Sequence, residues 1–247
     1  MLNVSHQVMP RRNSPTRLAA ADLFGRYKGE AKQQVRNFEV KKDEVMAQLR
    51  EIWHRFNFVS GKRYDHNYYE LLELLKGNTF SAKEIEYISI VIADFQDNEH
   101  FSAKAGLMIS AMINMSKDTY HLIFTNHLAD EPDVLGFKNT KNITIKGHAG
   151  TQLGFYMEEG TIIVNGDTGF MTGREMKGGK IIICGNTGNY LGDGMKGGTI
   201  VVTGNTGHDT GDLMTDGEII ICGNRFHLSD SAYNRLFGGG KIFIRTN

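Results

Sequence analysis

The chain has 247 residues, which is enough for one large domain or two modest ones. Its 28 Lys and Arg residues balance its 28 Asp and Glu residues, so no bulk field attracts nucleic acid or an anionic membrane. No stretch is apolar enough for a membrane-spanning helix, and no apolar segment of a signal peptide follows Arg11 and Arg12. We therefore expect a cytoplasmic protein, and the sequence leaves non-classical secretion open.

Glycine and proline usage divides the chain into two regions. Of the 29 glycines, 23 lie within residues 147–240 and only five precede residue 130, whereas all three prolines precede the glycine-rich part. We predict a flexible tail over 1–15, a helical domain over 16–118 and a β-helix over 119–247. The expected fold class is α+β: an N-terminal helical domain followed by a right-handed, single-stranded parallel β-helix with 19-residue coils.

Four amphipathic helices are predicted in the first region. The first covers about 42–57, where apolar residues recur with a helical period. Asp65 is predicted to cap the second helix, the capping box Ser81–Glu84 opens the third, and Asp97 or Asn98 is predicted to cap the fourth. Four helices with apolar faces can form a small bundle. We interpret its methionine stripe as core, with an adaptable binding surface as the alternative.

The second region repeats itself at a fixed period of nineteen positions. Glycines recur at one position of the repeat: Gly147, Gly166, Gly185, Gly204 and Gly223. Methionines recur at another: Met157, Met176, Met195 and Met214. A fixed period of this size indicates that each unit is one coil of a solenoid. The corners of such coils need positive φ values, which glycine adopts at little cost. The segment 121–125 is predicted to be an early, irregular coil.

Strand alternation assigns an inward and an outward face to each coil. Residues 162 and 164 and their equivalents should point inward, with the methionines filling the interior corner. The residues between them should point outward in one apolar stripe: Ile163, Ile182, Val201 and Ile220. An exposed stripe of this kind is typical of an interaction site, so we expect the helices, a second copy of the chain or another protein to cover it.

Polar and cysteine ladders are also predicted along the stack. One ladder should form hydrogen bonds between coils, with a binding groove as the alternative: His148, Asp167, Asn186, Asn205 and Asn224. Cys184 and Cys222 stand two coils apart, about 9.5 Å at sheet spacing, whereas the Cβ atoms of a disulfide need about 4 Å. We therefore predict free thiols. In the last coil, residues 229–237 are predicted to be helical, and the strand 242–244 arrives four positions late.

We predict no catalytic, cofactor-binding or metal-binding residue. The segment Gly192–Gly197 matches a dinucleotide fingerprint, but a strand follows it and its glycines belong to the repeat, so we expect no nucleotide there. The alternative is a hydrolase that uses a His/Asp pair at the junction of helices and solenoid. The candidates for that pair are His121, His127 or His148 with Asp130 or Asp133.

Residues 120–247 resemble the GXGXG domain, on the strength of motifs that recur from coil to coil. Those motifs are Gly166-x-x-Gly169-x-x-x-Gly173, Met176, Gly178-Gly179 and Ile181-Ile182-Ile183. The GXGXG domain is the C-terminal β-helix of the glutamate synthase large subunit. It also forms one of the subunits of formylmethanofuran dehydrogenase and of the related formyltransferase/hydrolase complex. In those families the domain is structural and packs against catalytic parts. The resemblance therefore implies a right-handed β-helix without catalytic residues.

These observations predict a non-catalytic scaffold or protein-interaction protein without a cofactor. It would bind another protein, or a second copy of itself, through the outward stripe or the helical domain. One alternative is an accessory subunit of a glutamate synthase-like amidotransferase or a formyltransferase/hydrolase complex. Another is a secreted effector that binds a host protein. We expect no nucleic-acid partner and no membrane span.

Overall fold

Among the described residues, four α-helices precede seven short strands. The computed structural model describes residues 41–224, 226–228 and 240–245. The helices are α1 (Lys42–Arg55), α2 (Tyr64–Leu74), α3 (Ala82–Val91) and α4 (Phe101–Met115), with a 3₁₀ turn (Ile92–Phe95) after α3. The strands are β1 (Tyr120–Phe124), β2 (Asn142–Lys146), β3 (Thr161–Val164), β4 (Lys180–Ile183), β5 (Lys196–Val202), β6 (Asp216–Ile221) and β7 (Lys241–Ile244). The predicted order of helices followed by a parallel β-solenoid is confirmed.

Local sequence predicts the start of α3 but not the start of α2. The side chain of Ser81 accepts a hydrogen bond from the backbone N–H of Glu84, while the Glu84 carboxylate accepts one from the backbone N–H of Ser81. The predicted capping box is therefore confirmed. The predicted cap at Asp65 is wrong, because α2 begins after Arg63 and Asp65 lies in its first turn. The Asp65 carboxylate instead pairs with Lys138 at 2.6 Å.

The start of α4 also differs from its prediction. The helix begins after His100, which has a left-handed backbone with φ of 59°, so the predicted cap at Asp97 or Asn98 is wrong. The Asn98 side-chain oxygen lies 3.5 Å from the indole nitrogen of Trp53, which donates to it. Trp53 is buried and its ring stacks on Phe95. A tertiary contact thus engages the side chain that could have capped the helix.

The strands form one sheet in which each strand pairs in parallel with that of the next coil. From β2 to β6 the register follows the sequence period, as where Ile162 pairs with Ile181 and Ile181 with Ile200, except for an irregularity between Lys196 and Thr199 of β5. The first step, from Tyr120 to Asn142, and the last, from Glu218 to Lys241, are both longer than this period. The predicted early coil at 121–125 and the late final strand are therefore both confirmed.

The inward face of the sheet forms the core of the solenoid. From β2 to β6 its aliphatic residues are all 1% exposed or less: Ile143, Ile145, Ile162, Val164, Ile181, Ile183, Ile200, Val202, Ile219 and Ile221. Met157, Met176 and Met195 are fully buried, and Met214 packs partly buried against the same core. The predicted inward parity and the methionine ladder are confirmed. Each fully buried aliphatic side chain contributes roughly 1.5–3 kcal/mol.

The corners of the coils depend on positive φ values that are not confined to glycine. Gly173 has a φ of +71°, and a Cβ added there would lie 2.4 Å from Cδ1 of Ile200. However, ten described non-glycine residues also have positive φ, including Met171 and Glu175 on either side of Gly173. A left-handed conformation costs such a residue roughly 1–2 kcal/mol. Hydrogen bonds between coils help to offset this cost, as when Met171 N donates to Asn189 O at 2.8 Å.

The helices pack on the first coil of the solenoid. The backbone N–H of Phe124 in β1 donates to Oγ of Ser89 in α3 at 3.0 Å. Gly106 in α4 lies against the backbone of Asp133, in the turn that follows β1. The exposed edge of a sheet presents unpaired backbone groups that favour aggregation. The helices therefore cover the edge at which the solenoid begins.

Some predictions lie outside the described residues. These are the tail over 1–15, the first part of the helical domain up to residue 40, and the helix over 229–237.

Cys184 and Cys222 are both free thiols, as their predicted separation requires.

Candidate interaction surface

The outer face of the sheet carries a column of branched aliphatic side chains. This aliphatic column, paired residue to residue across four strands, consists of Ile163, Ile182, Val201 and Ile220. Each member is partly exposed and lies between two buried neighbours in its strand, which confirms its predicted outward orientation. Strands 4.7–4.9 Å apart give the column a length of about 14 Å. Thr144 adjoins its first member, and Phe243, which is 45% exposed, adjoins its last.

The helices contact other parts of the solenoid. Besides the edge of β1, they meet the turns of the early coils, where Tyr64 of α2 lies edge-on to Phe155. The Arg63 side chain reaches the hydroxyl of Tyr156 at 3.4 Å. The helices thus pack on one end and one side of the stack, while the aliphatic column on the sheet face remains partly exposed.

Cations lie on both sides of the aliphatic column. Lys180 precedes it at the start of β4, whereas Lys146 at the end of β2 and Arg245 after β7 follow it. All three are exposed, and none forms an ion pair with any residue that the structure describes. A fourth cation, Lys241, lies 3.8 Å from Glu218 of the preceding coil. Sequence analysis missed these cations, although each lies two positions along its strand from the row of the column and therefore on the same face of the sheet.

Cations on the turn side of the solenoid behave differently, because carboxylates of neighbouring coils neutralise them. Arg174 lies 3.1 Å from Asp193, and Lys177 lies 2.9 Å from Glu158. Burial raises the pKa of Asp193, while Arg174 lowers it. These two cations are therefore paired with carboxylates of the chain, in contrast to Lys146, Lys180 and Arg245 beside the aliphatic column.

The predicted polar ladder does form hydrogen bonds between coils. Nδ1 of His148 accepts from Asp167 N at 3.0 Å, and Oδ1 of Asp167 accepts from Asn186 N at 2.7 Å. Oδ1 of Asn186 in turn accepts from Asn205 N at 2.9 Å. These side chains satisfy backbone donors of the next coil at a solvent-facing corner, which is a structural role.

An open cleft near α4 brings together part of the predicted hydrolase set. Asp130, Asp133 and His148 all line it. Oδ1 of Asp133 accepts hydrogen bonds from the backbone N–H and the hydroxyl of Thr151 at 2.6 and 3.0 Å. Burial raises the pKa of Asp133, and the two bonds from Thr151 lower it. Nδ1 of His148 accepts from the backbone N–H of Asp167, which also lines the cleft, and lies 3.8 Å from the Asp167 carboxylate; among the described residues it forms no hydrogen bond with Asp130 or Asp133.

The other two histidines of that set lie outside the cleft. His121 is fully buried on the inward face of β1, at the position that Ile143 occupies in the next coil. Its Nε2 lies 3.2 Å from Asp118 O, while its Nδ1 has no hydrogen-bond partner among the described residues. Burial lowers the pKa of His121, and the contacts with Asp118 raise it in part. Nε2 of His127 lies 2.9 Å from Ile90 O, outside the cleft.

The described part of the chain offers no cluster of three or more His, Cys, Asp or Glu side chains that could hold a metal ion. None of its helices is long and apolar enough to cross a membrane. Fold and surface define a parallel β-solenoid whose first coil is covered by helices and whose outer sheet face carries an apolar column. No protein-family model, curated protein or solved structure matches this chain.

Proposed function

We propose that this chain is a non-catalytic scaffold that binds another protein through the outer face of its sheet. The observation that carries the proposal is the aliphatic column: four successive coils place a branched aliphatic residue on a partly exposed face. Contiguous apolar surface framed by polar residues is typical of protein-interaction sites. The packing of the helices on the first coil supports the proposal, because that packing leaves the column accessible.

The double substitution Ile182→Asp with Val201→Asp tests this proposal. It places two carboxylates at the centre of the column, where an apolar partner would have to desolvate them. Asn57→Asp with Ser60→Asp is the matched control, because these exposed residues lie in the loop after α1 and not on the sheet. Circular dichroism establishes that both variants fold. Light scattering and quantitative mass spectrometry of co-purified proteins then compare each variant with the wild type.

We expect the column variant to lose a partner or an oligomeric state that the wild type and the control retain. If its solubility, oligomeric state and co-purifying proteins all match those of the control, the aliphatic column is not an interface.

The resemblance to the GXGXG domain supports a narrower second candidate, an accessory subunit of an amidotransferase or formyl-transfer complex. The observation that favours it is a stack of coils with an apolar outer face against which a catalytic protein could pack. Co-expression with the catalytic components of such complexes, followed by size-exclusion chromatography, tests it. We expect a stable complex that Ile182→Asp disrupts; separate elution of the proteins would contradict this candidate.

A further inference from the structure

We propose that the partner segment on the outer face is an amphipathic α-helix whose apolar stripe is flanked by acidic side chains. This inference rests on the proposed function and adds the chemistry of the partner. Three properties of the face support it: its saturated backbone, the spacing of its aliphatic column and its unpaired cations.

The backbone of the central strands is already bonded on both sides. β4, for example, pairs with β3 and with β5, and the N–H groups of Lys180 and Thr199 donate to the preceding coils at 2.9 and 3.0 Å. An extended peptide adds to a sheet at an edge, where backbone groups are unpaired. On this face it would find no partners for its own N–H and C=O groups. A helix bonds its backbone internally, so it can desolvate against the face without that cost.

The spacing of the column also fits a helix that lies across the strands. Neighbouring members of the column are separated by the strand spacing of 4.7–4.9 Å, while apolar residues at i, i+3 or i+4, i+7 and i+11 advance by about 5.4 Å per turn. Over four contacts the two repeats drift apart by roughly 2 Å, which side-chain rotamers can accommodate. A helix of about three turns therefore covers the column from Ile163 to Ile220.

The charges indicate the flanks of that helix. Lys180 lies on one side of the column, and Lys146 and Arg245 lie on the other, each exposed and without a carboxylate partner among the described residues. Acidic residues beside the apolar stripe of a helix would pair with them on both sides. An anionic bilayer would also attract these cations, but interfacial binding relies on bulky side chains that insert into lipid. The column instead consists of β-branched side chains that their strands already half bury.

Selection from a displayed library of helical peptides tests the inference. The library holds helical peptides of roughly 15 residues whose solvent-exposed positions are all randomised. Peptides are selected for binding to the full chain. We expect the enriched sequences to carry apolar residues at i, i+3 or i+4, i+7 and i+11, with Asp or Glu on both flanks. Binding of the enriched peptides should weaken at least about tenfold with Ile182→Asp. The double substitution Lys146→Glu plus Lys180→Glu should weaken binding severalfold, and this effect should be smaller at high salt. Lys62→Glu, an exposed loop control, should leave binding unchanged.

The outcomes separate this inference from the proposed function. Enriched helices with neutral or basic flanks that still require Ile182 would overturn the acidic partner and leave the docking face supported. Enriched peptides whose binding is not weakened by Ile182→Asp, or a selection that enriches no peptide, would overturn the inference. The co-purification experiment decides the proposed function independently. Binding to phosphatidylserine vesicles that depends on Lys146 and Lys180, in the absence of acidic helices, would assign the face to a membrane surface and also overturn it.

Discussion

Gly106 of α4 lies directly against the backbone of the first coil, so the substitution Gly106→Ala should destabilise the protein. A Cβ built at this position would lie 1.7 Å from the carbonyl oxygen of Asp133 and 2.8 Å from its carbon. Both are backbone atoms, which cannot rotate away as a side chain can. The helix and the turn would have to move apart until the shorter distance exceeds 3.0 Å, below which real Cβ contacts are essentially never found.

The magnitude follows from two opposing effects. Replacing glycine by alanine inside a helix normally stabilises it by roughly 0.5–1 kcal/mol. Overpacking a rigid contact costs about 1–3 kcal/mol. Separation would also weaken the hydrogen bonds that join α4 to the turn: Ser110 Oγ accepts from Gly136 N at 2.9 Å, and Asn114 Nδ2 donates to Phe137 O at 2.9 Å. We expect the free energy of unfolding to fall by about 1–2 kcal/mol, opposite in sign to the helix preference.

Urea denaturation followed by far-ultraviolet circular dichroism measures this change. Ala47→Gly, at an exposed position of α1, is the matched control, since it reports the preference for alanine over glycine where nothing packs. It should lower the free energy of unfolding by roughly 0.5–1 kcal/mol. A Gly106→Ala protein that is more stable than the wild type would refute the close approach between helix and solenoid.

Two further predictions concern the interior of the solenoid. Gly173→Ala should lower the free energy of unfolding by about 2–4 kcal/mol, because left-handed strain adds to overlap with Ile200 Cδ1. Gly61→Ala should cost only the strain, since Gly61 has a φ of +79° and open space around it; equal losses in urea denaturation would contradict this reasoning. Burial lowers the pKa of His121 below its ordinary value of 6.5, so the folded chain binds that proton less readily than the unfolded chain. The free energy of unfolding should therefore fall as the pH drops through 6.5. His121→Ile should reduce this loss of stability, measured between about pH 7.5 and about pH 5.5. If the two proteins lose stability in parallel over this range, His121 is not the source of the loss.

Features set by the repeat could be predicted because each coil meets a near copy of itself. The inward positions of Ile181 and Ile183 follow from strand alternation once the neighbouring coils have the same pattern. The capping box at Ser81 needs only a short local motif, and it too forms as predicted. In contrast, Asp65 pairs with Lys138 instead of capping its helix, a contact that no local pattern contains. The left-handed backbone conformation of Met171 could not be predicted for a similar reason. Hydrogen bonds to the next coil stabilise this conformation, which the intrinsic preference of methionine disfavours.

The candidate site was only partly accessible to sequence reasoning. Strand alternation indicates the outward face, and hence the aliphatic column, but it does not show where the helices pack. That depends on contacts distant in sequence, such as Phe124 N with Ser89 Oγ. The isolation of Lys146 and Lys180 likewise emerges only when every neighbouring carboxylate has been located. The sequence thus predicts the aliphatic column but not the unpaired cations on either side of it.

The stability of the solenoid does not by itself explain the aliphatic column. The inward aliphatic residues, the methionine ladder and the glycine corners hold the coils together, and the outward position needs only a residue that tolerates a strand. Thr144 fills this position in β2 with the same pairing geometry and the same partial burial as Ile163 in β3. Threonine has a high strand preference and would not expose an apolar side chain. Four successive coils nevertheless carry isoleucine or valine there, beside Lys146, Lys180 and Arg245, which no carboxylate of the described residues pairs with. An interaction with an apolar, acidic partner explains both features together, whereas folding alone requires neither.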